Sequence, residues 1–252
     1  MGNAMTSKLH LLANVRIVLC QTSHPGNIGA AARAMKTMGL RQLYLVRPKR
    51  FPDKEADTMS VGAVDILQNA QVCETLEQAL VGCVLAIGLS ARKRQLSHEL
   101  VPARQAASQA AEIASRQQVA LVFGTEMSGL SNAELDLCQL LAMIPTNPDF
   151  SSLNLAAAVQ VMCYELRVGL LDDAVENANA AVPLATNEEV EGLYTHLEET
   201  LLKIGFLNAT EPGRLMQRVR RIYGRARLEK EEVNILRGIL KHTQHPYPSK
   251  GN

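Results

Sequence analysis

No tryptophan occurs among the 252 residues, and aromatic side chains make up only 4%. The core must therefore be aliphatic, and a hydrophobic content of 47% is enough to build one, which excludes wholesale disorder. Also missing is any apolar run near the roughly 18–20 residues that cross a bilayer, so an integral membrane protein is not expected. Lys8, His10, Asn14 and Arg16 interrupt the N-terminal stretch and leave no apolar segment for a secretory signal. The five cysteines (Cys20, Cys73, Cys83, Cys138, Cys163) form no CxxC or CxxH pair. Four lie in apolar runs and read as buried thiols, which points to a reducing cytoplasm and to no metal site.

Acidic residues are absent before Asp53, a stretch that holds Lys8, Arg16, Arg33, Lys36, Arg41, Arg47, Lys49 and Arg50. A second basic block comprises Arg214, Arg218, Arg220, Arg221, Arg225, Arg227 and Lys230, against Glu229 alone. On a chain of net charge +1, two such segments suggest a localised surface for a polyanion such as RNA. A single run of this kind is more often a solvated helix face.

Up to about Leu171, short apolar runs alternate with helical stretches. Strands are expected at Val15–Cys20, Gln42–Val46, Cys83–Gly88, Val119–Phe123 and Leu140–Ile144, with a short edge strand within Asn69–Glu74. Helices are expected at Ile28–Met38, Thr58–Asn69, Ala103–Arg116, Ser131–Cys138 and Leu153–Leu171. This alternation implies an α/β domain with a parallel sheet covered on both faces, spanning 1–171. Asp172–Asn187 reads as a linker. From Glu188 to the end the pattern is helical, with Val190, Leu193, Leu197, Leu201 and Ile204 in one stripe before Gly205, and Leu215, Val219 and Ile222 in a second. A third begins at Val233, Leu236 and Leu240. A helical unit of 188–252 is marginal in size if it folds alone.

Three segments carry chemistry. His24-Pro25-Gly26-Asn27-Ile28-Gly29 follows a strand and opens a helix that contains Arg33. The G-x-G-x-x-G spacing is absent, and Arg47 stands where a ribose-binding acid would be, which excludes a nicotinamide enzyme. Small residues suit a packing helix, but an arginine in its first turns, with Asn27 at the mouth, suits an anionic ligand. Gly124-Thr125-Glu126 lies at the carboxyl end of a strand, where open α/β sheets bind ligands. There Gly124 would let a ligand approach the backbone, and Glu126 would bond the ligand or orient Arg33. The third segment runs from Ile144 and Pro145 through Ser151, Ser152, Leu153 and Asn154 into a helix, more polar groups than capping alone requires.

In order and content these segments resemble the SPOUT-superfamily RNA 2′-O-ribose methyltransferases of the TrmH class, and within it the enzymes acting at ribose 32 of the tRNA anticodon loop. The likeness spans about residues 14–171. It rests on Asn27 with Arg33 six residues on, Gly124-Thr125-Glu126, and Ser152-Leu153-Asn154 with the preceding Pro145. It implies a deep trefoil knot and S-adenosylmethionine held by Leu89, Ser90, Ala91, Gly124, Ile144, Ser151, Ser152 and Leu153. It further implies a homodimer paired through Leu153–Leu171. Arg33 would be the catalytic base or a clamp on RNA phosphate, with Asn27, Glu126, Ser152 and Asn154 orienting arginine and ribose. The helical extension would bind tRNA through Arg218, Arg221 and Arg225. Met127 departs from the arginine common after this glutamate, which leaves open another tRNA site or ribosomal RNA as target; a non-catalytic RNA-binding protein is the remaining alternative.

Overall fold

The near-continuous apolar runs become strands of one all-parallel sheet in the computed structural model of the protein, which describes residues 10–90, 100–171, 183–208 and 213–244. The strands are β1 (Val15–Cys20), β2 (Gln42–Val46), β3 (Gln71–Cys73), β4 (Cys83–Leu89), β5 (Leu100–Pro102), β6 (Gln118–Phe123) and β7 (Leu140–Met143), in the order β3-β2-β1-β6-β4-β7-β5. Their side chains alternate between two apolar layers, as the two-residue repeat of a strand dictates. Ile17, Leu19, Leu121 and Phe123 face one layer, while Val18, Cys20, Ala120 and Val122 face the other. Burial of both faces is why these strands read as continuous rather than alternating hydrophobic runs.

Ten α-helices are described: α1 (Pro25–Met38), α2 (Lys54–Ser60), α3 (Val64–Gln68), α4 (Leu76–Leu80), α5 (Ala103–Ala114), α6 (Asn132–Asp136), α7 (Leu155–Leu171), α8 (Asn187–Lys203), α9 (Gly213–Ala226) and α10 (Lys230–Gln244). Three differences from expectation have physical causes. The helix expected over Thr58–Asn69 is broken into α2 and α3, because Val61 and Gly62 take left-handed conformations (φ 38° and 82°). Helix α1 begins at Pro25 rather than Ile28, since a proline lacking its N–H costs nothing in the first turn. Strand β5 and helix α4 escaped notice because each is too short to show a period.

Helix α5 buries six alanines (Ala103, Ala106, Ala107, Ala110, Ala111, Ala114), and this low-relief face admits α7. At Gly29 a Cβ would lie 2.1 Å from the Ala56 carbonyl oxygen, so only glycine allows α1 and α2 to cross so closely. Arg167 of α7 donates to the Met38 carbonyl at 3.0 Å and ties α7 to the end of α1. Residues 91–99, between β4 and β5, lie outside the described residues.

The chain divides into two compact units, 1–180 and 181–252. In the second, Thr186 and Glu189 form a capping box at the start of α8. Residues 172–182 of the expected linker lie outside the described residues. Its last residues are instead held within this unit: Ala185 N donates to the Leu228 carbonyl (2.8 Å) and Lys230 N to that of Pro183 (3.3 Å). Leu193, Leu228 and Val233 form one small core, and Tyr194, Leu207 and Met216 another. Ile204 and Ile222, expected on inward stripes, are exposed; Met216 and Tyr223 supply the inward contacts of α9 instead. No helix among the described residues is long and apolar enough to cross a membrane.

Candidate active site

Because β1 and β6 are neighbours running in the same direction, the turn after β1 and the loop after β6 leave the sheet side by side. Glu126 bridges them. Its carboxylate accepts from Ser23 N (3.2 and 3.1 Å), Ser23 Oγ (2.7 Å), His24 N (3.2 Å) and Asn27 Nδ2 (3.0 Å). Partial burial disfavours the charge, but the hydrogen bonds from Asn27 and Ser23 outweigh it and lower the pKa to about 2. A fixed anion at the mouth of α1 is also favoured by the positive end of that helix.

Asn27 passes the linkage on, since its Oδ1 accepts from Asn154 Nδ2 at 3.0 Å. The Asn154 Oδ1 in turn accepts from Ala156 N (2.9 Å) and Ala157 N (3.3 Å), which caps α7. One polar chain, Glu126–Asn27–Asn154, therefore joins all three segments. Capping falls to Asn154 and leaves Ser152 exposed, with no side-chain hydrogen bond among the described residues.

Beside this chain lies a cleft. Leu89 and Ser90 from the end of β4 form one wall, the 124–130 loop a second, and Ile144 with Ser151, Ser152 and Leu153 a third. Seven of the eight residues expected to contact a cofactor thus line one space; the eighth, Ala91, lies outside the described residues. Ser90 is fixed through its N–H to the Ala142 carbonyl at 3.0 Å. Gly124, which lines this cleft, also meets a second requirement. A Cβ there would lie 2.1 Å from both Gly129 C and Leu130 N, so the missing side chain admits the loop's own backbone. That loop is braced by Thr125 N to Gly129 O (3.2 Å) and Gly129 N to Thr125 O (3.0 Å), and holds Met127 at its tip, 95% exposed.

Arg33 is exposed on α1, about 9 Å along the axis from Asn27 by helical rise. Its side chain forms no hydrogen bond or ion pair among the described residues, and it does not line the cleft. The expectation that Glu126 orients Arg33 is corrected: both carboxylate oxygens are engaged by the 23–27 turn. Ser23 was missed in the sequence, where a serine two residues before a proline-opened helix carries no distinctive signal. Among the described residues, no group of three or more His, Cys, Asp or Glu is placed to hold a metal ion.

In the second unit, α9 continues through Gly224 and leaves Arg218, Arg221 and Arg225 exposed along one side. Arg220 has a different task. Its guanidinium bonds both oxygens of Glu191 (2.5 and 2.7 Å) and lies 4.5 Å from the centre of the Tyr194 ring, a structural pairing within the helical unit.

Comparison with known proteins gives two family matches, "SpoU rRNA Methylase family" over residues 14–164 and "tRNA methyltransferase TrmJ, C-terminal domain" over 188–251. The tRNA (cytidine/uridine-2′-O-)-methyltransferase TrmJ of Yersinia enterocolitica is 47% identical over 249 residues, 96% of either chain. The tRNA (cytidine/uridine/adenosine-2′-O-)-methyltransferase TrmJ of Pseudomonas aeruginosa is 48% identical over 244 residues, 93% of this chain and 95% of its own. The crystal structure of TrmJ from Z. mobilis superposes with a TM-score of 0.80 at 32% identity, covering 91% of this chain and 98% of that one.

Proposed function

The chain belongs to the SpoU rRNA methylase family, and from that premise we propose that it methylates a ribose 2′-hydroxyl of tRNA with S-adenosylmethionine, at nucleotide 32 of the anticodon loop. The observation that carries this reading is a cleft walled by the end of β4, the 124–130 loop and residues 144–153, with the 23–27 turn tied to the second and third of these walls by the Glu126–Asn27–Asn154 chain. The cleft suits the cofactor: Leu89, Ile144 and Leu153 offer apolar surface for an adenine, and Ser90, Ser151 and Ser152 offer polar groups for its ribose and amino acid. When bound, S-adenosylmethionine supplies a methyl group on a positively charged sulfur.

The remaining work falls to the protein. Glu126, ionised at neutral pH, holds the 23–27 turn against the cleft and so sets Asn27 and Asn154. Arg33 is exposed and its side chain has no hydrogen bond or ion pair among the described residues, and a planar guanidinium matches phosphate oxygens, so we assign Arg33 to gripping an RNA phosphate. The cofactor would supply the methyl group as its carbon–sulfur bond breaks, leaving the demethylated thioether in the cleft, while the ribose hydroxyl that Arg33 helps to set in line would lose its proton to solvent. Alignment of the two reactants contributes up to about 7–11 kcal/mol in the best intramolecular cases. The same reading includes a trefoil knot, cytoplasmic action, an 188–252 extension that holds tRNA, and a homodimer. For pairing, the exposed Ala157 and Tyr164 of α7 supply the surface.

The test is incubation with labelled S-adenosylmethionine and total RNA, followed by mapping of the 2′-O-methylated nucleotide. Label at ribose 32 of tRNA is expected. Label at another tRNA nucleotide or on ribosomal RNA would replace the target, and cofactor-independent RNA binding without transfer would overturn the enzyme reading.

A further inference from the structure

Arg47, Lys49 and Arg50 follow β2 within four positions, and all three side chains are exposed. The loop that carries them is fastened to the active-site turn. Cys20 is paired with Val46 in register, so β1 and β2 leave the sheet together. Gln21 N donates to Val46 O (2.7 Å) and Lys49 N to Thr22 O (3.0 Å), one residue before the Ser23 that holds Glu126. On its other side Arg47 N donates to Cys73 O at 3.0 Å. Arg47 itself is left-handed (φ 44°), which bends the chain sharply at the strand's exit.

The charges are unequally matched. Arg50 lies 3.6 Å from Glu55, whereas the side chains of Arg47 and Lys49 form no hydrogen bond or ion pair among the described residues. A solvated face needs no such fastening to a catalytic turn. A ribose presented at the cleft brings a phosphodiester on each side, and Arg33 accounts for one contact. We infer that Arg47 and Lys49 form a phosphate-binding ledge that receives the substrate RNA strand beside the His24–Asn27 turn. The inference rests on the RNA-methyltransferase reading and adds a second phosphate contact site in the catalytic unit, separate from the arginines of α9.

The test uses the full chain with Arg47→Asn and Lys49→Gln combined, because asparagine tolerates the left-handed conformation required at 47. Lys49→Glu alone serves as a second variant free of that requirement. Affinity for tRNA is measured against salt concentration, with thermal melting and cofactor titration as controls for folding. Each single-strand phosphate contact contributes about 0.7 to the slope of log affinity against log salt, so the double variant should lose about 1.4. Between about 50 and 200 mM salt its disadvantage should shrink by about sevenfold. Unchanged affinity and slope in folded variants, with the wild type methylating tRNA, overturn the ledge alone. A wild type that neither binds nor methylates tRNA overturns the underlying reading and the ledge with it.

Discussion

Replacing Glu126 by glutamine removes a charge with little change of shape, and so isolates what the carboxylate contributes. Its oxygens face donors only: Ser23 N and Oγ, His24 N and Asn27 Nδ2. An amide keeps one acceptor oxygen but turns an NH2 group toward those donors, leaving at least one of them unpaired. Burial alone would raise the pKa; bonds from Asn27 and Ser23 instead bring it from 4.5 to about 2. Such a displacement corresponds to about 3 kcal/mol at 1.36 kcal/mol per unit. Solvent screening at this partly exposed group reduces it to about 1–2 kcal/mol. Because the folded-state pKa is the lower one, this stability is fully present above about pH 4.5 and is lost as pH falls toward about 2. Urea unfolding of wild type and Glu126→Gln should therefore differ by about 1–2 kcal/mol near pH 7, with a smaller gap near pH 3.5. A gap that is equal at both pH values, or below about 0.5 kcal/mol near pH 7, would refute the assignment of Glu126 as the anion that holds the α1 turn.

Arg33→Ala should abolish methylation while cofactor affinity, read by calorimetry, stays close to wild type, because Arg33 stands outside the cleft. Gly124→Ala forces the backbone at Gly129 and Leu130 aside; turnover should fall by about 100-fold, as misplacement near 1 Å does, with a lower melting temperature. Replacing Arg218, Arg221 and Arg225 together by glutamine should weaken tRNA binding and flatten its salt slope by about 2–3, without changing cofactor titration.

Most of the sheet was legible because strands buried on both faces announce themselves as apolar runs bounded by polar turns, as at Val15–Cys20 and Val119–Phe123. Strand β5 and helix α4 were not, since they are held by neighbours distant in sequence rather than by local pattern. The site residues were identifiable by type and by position at strand ends. Their wiring was not. Whether Glu126 reached Arg33 or Asn27 depends on β1 and β6 being adjacent, which a sequence with Gln118 far from Val15 does not display. That Gly124 must also admit the loop's own backbone was not visible, because nothing local shows that Gly129 folds back upon it.

The strand order also dictates how the chain can be assembled. Strand β1 lies inside the sheet and precedes the other six described strands along the chain, and four of them are synthesised before its partner β6. Until Phe123 leaves the ribosome, Leu19 has β2 on one edge and an open ladder of N–H and C=O groups on the other. Two gaps must be kept: β6 enters between β1 and β4, and β7 between β4 and β5. Premature closure of either would trap a compact chain with a strand left outside, and pairing over such separations is slow. Newly made protein therefore passes through a long interval as an incomplete sheet with exposed edges, and its yield is set as much by what shields those edges during synthesis as by the stability of the finished fold.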